Sequence, residues 1–243
     1  MNTKKLIVAV ALTLLVVFVV SGCGSQTSVV TSDMPQIIQT YGEAEVKAEP
    51  DLARISLAIE TRSNSAEQAV EENARLANAV FEALSGFGLT EDEIKTGSYQ
   101  LYSYREWFEE RLSSEELITY QVSNEVVVST SRIDEVGEII DLAIRSGANN
   151  INYINFELEN PQELQLQALK TATEQAKKKA EAIAESADER ISGLFRIQEE
   201  RTEYIPFVVR QDGLAEEAAM GAPTPITPDE VTVKAMVKAE FSF

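Results

Sequence analysis

Residues 160–187 read NPQELQLQALKTATEQAKKKAEAIAESA, and they predict the clearest helix of the chain. Asn160 can cap a helix, and Pro161 suits the first helical position because the amide hydrogen it lacks would have no partner there. Apolar residues then recur on one stripe: Leu169, Ala172, Ala176, Ala180, Ile183 and Ala187. Because most of them are small, we expect this helix to pack closely on a sheet or on another helix.

Strand-like segments flank this helix on both sides. A short apolar run at 151–158 precedes it, and runs at 194–204 and 230–243 follow it. The last run alternates apolar and polar residues, which is typical of a strand with one buried face. A long proline-bearing segment, 205–228, separates the two final strands, and a loop of that length is either functional or disordered.

The first half of the chain adds four strands and two helices. The strands are predicted at 37–47, 52–61, 98–108 and 118–130. One helix follows Ser65, which pairs with Gln68 as a capping box. Its predicted inner face carries Val70, Ala74, Ala77, Phe81 and Leu84. The second follows Ser131 and stops at Gly147. The predicted order ββαββαβαββ indicates an α+β fold with mainly antiparallel sheets and packed helices.

The first 22 residues have the pattern of an export signal. Two lysines precede an apolar run at 6–20, which is shorter than the roughly 20 residues that span a membrane. Val20, Ser21 and Gly22 then precede Cys23, which looks like a bacterial lipobox. We predict that residues 1–22 are a lipoprotein signal peptide and that Cys23 carries lipid. A plain secretory signal with a chance cysteine and an uncleaved N-terminal anchor are the alternatives.

The segment after the cysteine predicts a tether. Residues 24–36 are rich in Ser, Thr and Gln and show no periodicity. Thirteen such residues reach about 45 Å when extended and average roughly 20 Å as a coil. We therefore expect the lipidated Cys23 and a flexible tether at 23–36, followed by a folded domain at 37–243.

The composition excludes several functions. The chain carries 21 basic and 40 acidic residues, for a net charge of −19, and such a surface repels the phosphates of nucleic acid. It has no histidine, so a Ser-His-Asp triad and a Cys/His zinc site are ruled out. Its single cysteine, Cys23, has no neighbour in sequence that would lower its pKa and make it a nucleophile. We predict a protein that is not an enzyme, with no catalytic residue and no cofactor.

Aromatic residues gather at the second predicted pair of strands. Tyr102, Tyr104, Trp107 and Phe108 form the candidate interface, because exposed Trp and Tyr concentrate binding energy at protein surfaces. The alternative is a hairpin in which aromatic side chains pack on one another across the strands.

Acidic residues cluster at the tip of the same hairpin and in two later segments: Glu106, Glu109, Glu110, Glu115, Glu116, Glu199, Glu200, Glu216 and Glu217. Acid–base catalysis would need two carboxylates with separated pKa values in one cleft, and no such pairing is evident. The Asp-rich loop that binds calcium is missing from the sequence, so we assign no metal ligands. A ligand- or cation-binding surface protein that uses these carboxylates is the alternative function.

The chain resembles the SIMPL domain family, also called DUF541. The segments that carry the resemblance are residues 49–53 (EPDLA), Asn73, Leu84, Gly88, residues 94–96, Tyr102, Tyr120, residues 126–128, residues 147–151, Phe156 and, in the long helix, Lys179, Ala180, Ile183 and Ala184. Their order and spacing cover nearly all of residues 37–243. Where a glycine would be expected after the long helix, this chain has Ala187 and Asp188.

The resemblance implies an exported protein of the cell envelope. Some members of the family form ring-like oligomers and some are linked to envelope or oxidative stress, and the resemblance supplies no catalytic residues. We therefore expect a lipid-anchored extracytoplasmic module for interaction or oligomeric assembly. Its predicted partners are the membrane, through the lipid, and further copies of itself or another envelope protein.

Overall fold

The computed structural model describes residues 36–106, 117–209 and 224–243. Within them the strands are β1 (Ile37–Ala48), β2 (Leu52–Ser63), β3 (Ile94–Glu106), β4 (Leu117–Thr130), β5 (Asn150–Glu157), β6 (Gly193–Ile205), β7 (Phe207–Val208) and β8 (Val231–Ser242). The helices are α1 (Ala66–Gly86), α2 (Val136–Ser146), which a 3₁₀ turn at Ile133–Glu135 precedes, and α3 (Gln162–Ser186). The predicted α+β class and the order of elements are confirmed, and the two-residue strand β7 is an addition.

The strands form two antiparallel sheets. The first has the order β1-β8-β6 and the second has the order β3-β4-β2-β5-β7. Residues 49–51 carry the chain from the first sheet to the second, so β1 and β2 are not a hairpin. Asp51 fixes this crossing, because its carboxylate accepts a hydrogen bond from Glu159 N at 2.7 Å and its own N–H donates to the Glu157 carbonyl.

A second crossing lies at Pro206. β6 belongs to the first sheet and β7 to the second, and Pro206 separates them because it has no N–H for either ladder. Beside it, Leu158 N donates a hydrogen bond of 2.6 Å to the Tyr204 hydroxyl. Burial raises the pKa of Tyr204 above its ordinary value, although this hydrogen bond opposes the rise. The phenol is therefore protonated at neutral pH and holds the corner between the sheets.

Helix α3 packs on the first sheet, as its small residues predicted. A Cβ at Gly42 of β1 would overlap the carbonyl oxygen of Ala172, so the helix and strand backbones are in direct contact there. Thr40 adds a hydrogen bond of 2.8 Å from its hydroxyl to the Ala176 carbonyl. The buried residues of α3 are Leu164, Ala168, Ala172, Ala176, Ala180 and Ala184. The predicted inward positions of Ile183 and Ala187 are therefore wrong: Ile183 is exposed and Ala187 lies beyond the helix end.

Helices α1 and α2 cover the second sheet and enclose the larger core. The buried residues of α1 are Ala69, Asn73, Ala77, Val80 and Leu84, which corrects the predicted face by one position at several turns. The capping box is also wrong, because Gln68 accepts a hydrogen bond from Ser63 and Ser65 makes no side-chain cap. The Gln68 side chain is thus bound to the end of β2 and not to the helix terminus.

The long segment before β8 is fixed at its C-terminal end. The Thr224 N–H and hydroxyl donate hydrogen bonds of 3.1 and 2.7 Å to the two carboxylate oxygens of Asp141 on α2. The Thr224 carbonyl lies so close to Gly137 that any side chain there would overlap it. Ile226 then packs against the larger core. Residues 210–223 of the predicted loop lie outside the described residues.

Candidate interaction surface

The candidate interface residues Tyr102 and Tyr104 lie on β3, an edge strand of the second sheet. Tyr102 is 43% exposed and Tyr104 is half-buried. They face the side of the sheet away from the helices, opposite Gln121 and Thr119 of β4. Their cross-strand partners are therefore polar, so Tyr102 and Tyr104 are not directly opposite another aromatic residue. The other two predicted interface residues, Trp107 and Phe108, lie outside the described residues.

The opposite face of β3 is also open. Tyr99 and Leu101 point to the helix side of the sheet, opposite Asn124 and Val122, yet Tyr99 is 52% exposed. Helix α1 packs over β2 and β4 and leaves this part of β3 uncovered. Since β3 pairs only with β4 among the described strands, both faces and one edge of it are accessible.

A network of polar side chains, of which Ser56 is buried, holds β3 in place. The register of β3 on β4 shifts between Thr96 and Tyr99, which is a β-bulge at Gly97 and Ser98. Ser98 donates a hydrogen bond of 3.0 Å to Glu125 Oε2, and Ser56 donates one of 2.5 Å to Glu125 Oε1. Asn152 of β5 in turn donates to the Ser56 hydroxyl at 2.9 Å, so one network joins four strands.

Gly97 makes this arrangement sterically feasible. A Cβ at this position would lie 2.7 Å from the carboxylate carbon of Glu125, so a larger residue would displace this carboxylate from its present position. Sequence analysis missed the network because Ser56, Glu125 and Asn152 are far apart in the chain. The predicted strand at 98–108 left Gly97 outside, whereas the strand begins at Ile94 and includes this glycine; a glycine within a strand often marks a bulge.

A second polar network lies beneath Tyr102. Its cross-strand partner Gln121 accepts a hydrogen bond of 3.0 Å from Arg62 and donates one of 3.2 Å to Glu60. The Asn149 side chain accepts a hydrogen bond from the Glu60 N–H and donates one to the Glu60 carbonyl, each at 2.8 Å. The exposed Tyr102 therefore lies beside a network of hydrogen-bonded polar side chains.

The start of β3 is tied to the end of β4 through Glu93. Its carboxylate accepts hydrogen bonds from the Thr90 N–H at 2.9 Å and the Thr130 hydroxyl at 2.7 Å. These hydrogen bonds, the first from the backbone of Thr90, lower the pKa of Glu93 below its ordinary value. The ionised carboxylate is thus the form that stabilises this junction.

The charge along β3 differs from that of the rest of the chain. Residues 96–104 contain no charged side chain, in a chain whose net charge is −19. The other long edge strands are charged: β1 carries Glu43, Glu45 and Lys47, and β6 carries Arg196, Glu199, Glu200, Arg201 and Glu203. Only β3 among these edges combines open faces with an uncharged stretch.

An open cleft of about 400 Å³ lies on the outer face of the first sheet. Its walls carry both signs of charge, and these charges pair with each other: Lys234 lies 3.3 Å from Glu45, and Arg201 lies 2.7 Å from Glu203. Charges that are already paired on an exposed face attract a ligand weakly. The cleft is therefore a weaker candidate than β3.

The described residues offer little support for cation binding by the acidic clusters. In the parts of the chain that the structure describes, no three Asp, Glu or Cys side chains are close enough to hold a metal ion. Glu199 and Glu200 lie exposed on β6. Glu109, Glu110, Glu115, Glu116, Glu216 and Glu217 are outside the described residues, so cation binding by them stays a prediction. Val20, Ser21, Gly22 and Cys23 are also outside the described residues, so the lipidation of Cys23 stays a prediction.

No helix within residues 36–106, 117–209 and 224–243 has the length and apolarity that crossing a membrane requires.

Comparison with known proteins identifies the family. The model of the SIMPL family, described as a protein of unknown function (DUF541), matches residues 38–241. The chain belongs to the SIMPL family. This confirms the resemblance read from its motifs.

Two kinds of relative illustrate the match. The 26 kDa periplasmic immunogenic proteins of Brucella melitensis and Brucella abortus are each 25% identical over 167 residues, which cover 68% of this chain and 67% of theirs. The uncharacterized protein YggE of Edwardsiella ictaluri is 23% identical over 177 residues, or 72% of this chain and 73% of its own. None of these names describes an enzyme.

Proposed function

We propose that this SIMPL protein is a non-catalytic, lipid-anchored module outside the cytoplasm, and that copies of it assemble through the edge of β3. The names of its Brucella relatives, which place those proteins in the periplasm, support the extracytoplasmic location. The sequence before Cys23 supports the anchor, and the structure of β3 supports the assembly.

The open edge of β3 is the observation that carries the proposal. An edge strand presents unpaired N–H and C=O groups that can pair with a strand of another chain. Proteins block such edges with lysine, proline, an inward-pointing charge or a β-bulge. The bulge at Gly97 and Ser98 is the one such device within residues 96–104, and the strand is regular from Tyr99 to Tyr104. Exposed tyrosines on the same strand add large, rigid contact surfaces.

Charge indicates that the partner strand is β3 of a second copy. A net charge of −19 makes most approaches between two copies repulsive. Antiparallel pairing of β3 with its own copy would bring two uncharged stretches together and extend the second sheet across a two-fold axis. Pairing through β1 or β6 would place several carboxylates on each side of the contact.

Sedimentation of the full chain in detergent tests the assembly. We expect dimers or larger species at micromolar concentration, and we expect Gln100→Lys/Tyr102→Lys to sediment as a monomer because lysines on an edge oppose strand pairing. Ile144→Lys on α2 is the matched control, since it adds a lysine at a comparably exposed apolar position. A monomeric wild type, or equal association of the double variant, would rule out assembly through β3.

Cys23→Ala tests the anchor. We expect the wild type to fractionate with membranes and to show the mass of added acyl chains, because two or more chains hold a protein on a bilayer. The variant should lose the added mass and should leave the membrane fraction after processing. Unchanged partitioning together with an unlipidated wild-type mass would refute the anchor.

A link with envelope or oxidative stress is supported only by the resemblance to the family. A deletion strain that survives peroxide and detergent as well as its parent would count against it.

A further inference from the structure

Exposed apolar side chains concentrate at one end of the first sheet. Six of them are between 43 and 54% exposed. They are Ile37, Tyr41, Ile183, Leu194, Phe195 and Ile197. Leu194 and Ile197 lie on the side of the sheet that carries α3 and its Ile183, whereas Ile37 and Tyr41 lie on the outer face, so the candidate patch is Ile183, Leu194, Phe195 and Ile197. An exposed apolar patch usually marks a contact with another body.

The strand register shows that these residues share one end of the sheet. Ile37 is opposite Ser242, which is opposite Gly193 on its other side, and Leu194 is opposite Phe241. Ile183 lies in the last turn of α3, next to Ala184, and Ala184 belongs to the same small core as Phe241.

Helix α3 leaves the β6 side of this end uncovered because it packs mainly over β1 and β8. The side chains of Leu194 and Ile197 point to the helix side of β6, opposite Phe241 and Ala239, yet they are about half exposed. The first half of β6 is therefore an apolar strand without a covering layer among the described residues.

The polypeptide enters the body at this same end, since β1 begins at Ile37. Only residues 24–36 separate this point from Cys23, and a coil of that length averages roughly 20 Å. A short link makes a second contact effectively intramolecular and so favours contacts that would be too weak alone. Of the whole body, the Ile37 end is the part that the chain holds nearest to an anchor at Cys23.

We propose that this apolar end rests on the lipid bilayer, with Leu194, Phe195 and Ile197 in the interfacial region. The inference rests on the lipid-anchor part of the proposed function. Charges near the patch are mixed, namely Asp188, Glu189, Arg190 and Arg196, so the contact is apolar and depends little on salt. The Arg196 guanidinium lies 5.7 Å from the centre of the Phe195 ring and 3.7 Å from a carboxylate oxygen of Glu240, so this cation already has a partner beside the patch.

Fluorescence quenching from lipids tests this contact. Because Cys23 is the one cysteine and is acylated under the proposal, a cysteine introduced elsewhere is the single free thiol. Phe195→Cys in the full lipidated chain is labelled with a nitrobenzoxadiazole dye. It is then reconstituted in phosphatidylcholine vesicles with and without nitroxide-labelled phosphatidylcholine. Leu166→Cys is the matched control, since Leu166 is an apolar residue of α3 that is 59% exposed and lies about 25 Å along the helix from Ile183.

We expect the nitroxide lipid to lower the emission of the dye at position 195 about threefold, and that at position 166 less than about 1.3-fold. A second labelled variant, Ile197→Cys, should behave like Phe195→Cys. Equal, weak quenching at positions 166, 195 and 197 in acylated, vesicle-bound protein would overturn the inference and leave the anchor intact. A blue-shifted dye at position 195 that the nitroxide lipid does not quench would assign the patch to a protein contact instead. An unacylated Cys23 would overturn the anchor and, with it, this inference.

Discussion

The contact between β1 and α3 permits a sharp test at Gly42. Replacement by alanine adds a Cβ that would overlap the Ala172 carbonyl oxygen and lie 2.8 Å from Ala176 N. Both are backbone atoms of a helix, so no side-chain rotation can relieve the overlap. The helix must move away from the sheet, and the hydrogen bond from Thr40 to the Ala176 carbonyl is then lost or lengthened.

The magnitude follows from three terms. Overpacking costs about 1–3 kcal/mol, and a backbone contact should reach the upper end of that range. The weakened hydrogen bond adds about 1 kcal/mol. Alanine restricts the unfolded chain more than glycine does, and this effect alone would raise the free energy of unfolding by about 0.5–1 kcal/mol. We expect Gly42→Ala to lower the free energy of unfolding by about 3 kcal/mol, or Tm by roughly 6–12 °C.

Gly86→Ala is the matched control, since it is the same chemical change at a position with no atom within 4 Å of the added Cβ. Gly86 is the last residue of α1, and alanine there should raise the stability by about 0.5–1 kcal/mol. Urea unfolding followed by circular dichroism measures both variants. The packing argument is refuted if Gly42→Ala unfolds within about 1 kcal/mol of the wild type.

Three further changes probe other parts of the fold. Asp188 ends α3 with φ of 58°, so Asp188→Gly should raise the free energy of unfolding by about 1 kcal/mol in a urea titration, whereas Asp188→Ala should not. The lowered pKa of Glu93 means that its carboxylate stabilises the fold above the unfolded value near 4.5 and stops doing so as pH falls through the folded value. The Tm difference between wild type and Glu93→Gln should therefore be largest at pH 7 and shrink by pH 3; a constant difference would contradict the role of the charge. Ser56→Ala removes the acceptor of Asn152 and one of the two donors to Glu125, which keeps its hydrogen bond from Ser98, and should cost about 1 kcal/mol, against under about 0.5 kcal/mol for the exposed Ser192→Ala.

Local patterns predicted the elements well, because helices and strands have distinct apolar periods. They misplaced the inner face of α3, since a large apolar residue such as Ile183 is expected inside in preference to Ala184. The contact of β1 with the helix backbone at Gly42 fixes the face of α3 that carries Ala172 and Ala176 against the sheet, and the same row of alanines at four-residue spacing includes Ala184. That constraint comes from a strand more than a hundred residues away, so no local pattern carries it.

The sequence drew attention to part of the candidate surface, whose role as an interface stays a prediction. Tyr102 and Tyr104 stood out by composition, and the structure places them on an exposed edge. The Glu125 network that supports this edge joins residues of four strands, and its members look like ordinary surface residues in sequence. The sequence predicted that a strand ends before Pro206. It did not show that the chain passes from the first sheet to the second at this proline.

The two proposed contacts use different sheets, and this separation makes them compatible. The apolar end belongs to the first sheet, and the β3 edge belongs to the second. A copy that rests on lipid through β6 therefore keeps the β3 edge free to pair with another copy. Anchoring also confines copies to a surface, which raises their effective concentration and allows a modest edge contact to assemble them. The uncharged stretch of β3 matters most in that setting, because copies with a net charge of −19 held side by side repel one another everywhere that charges meet.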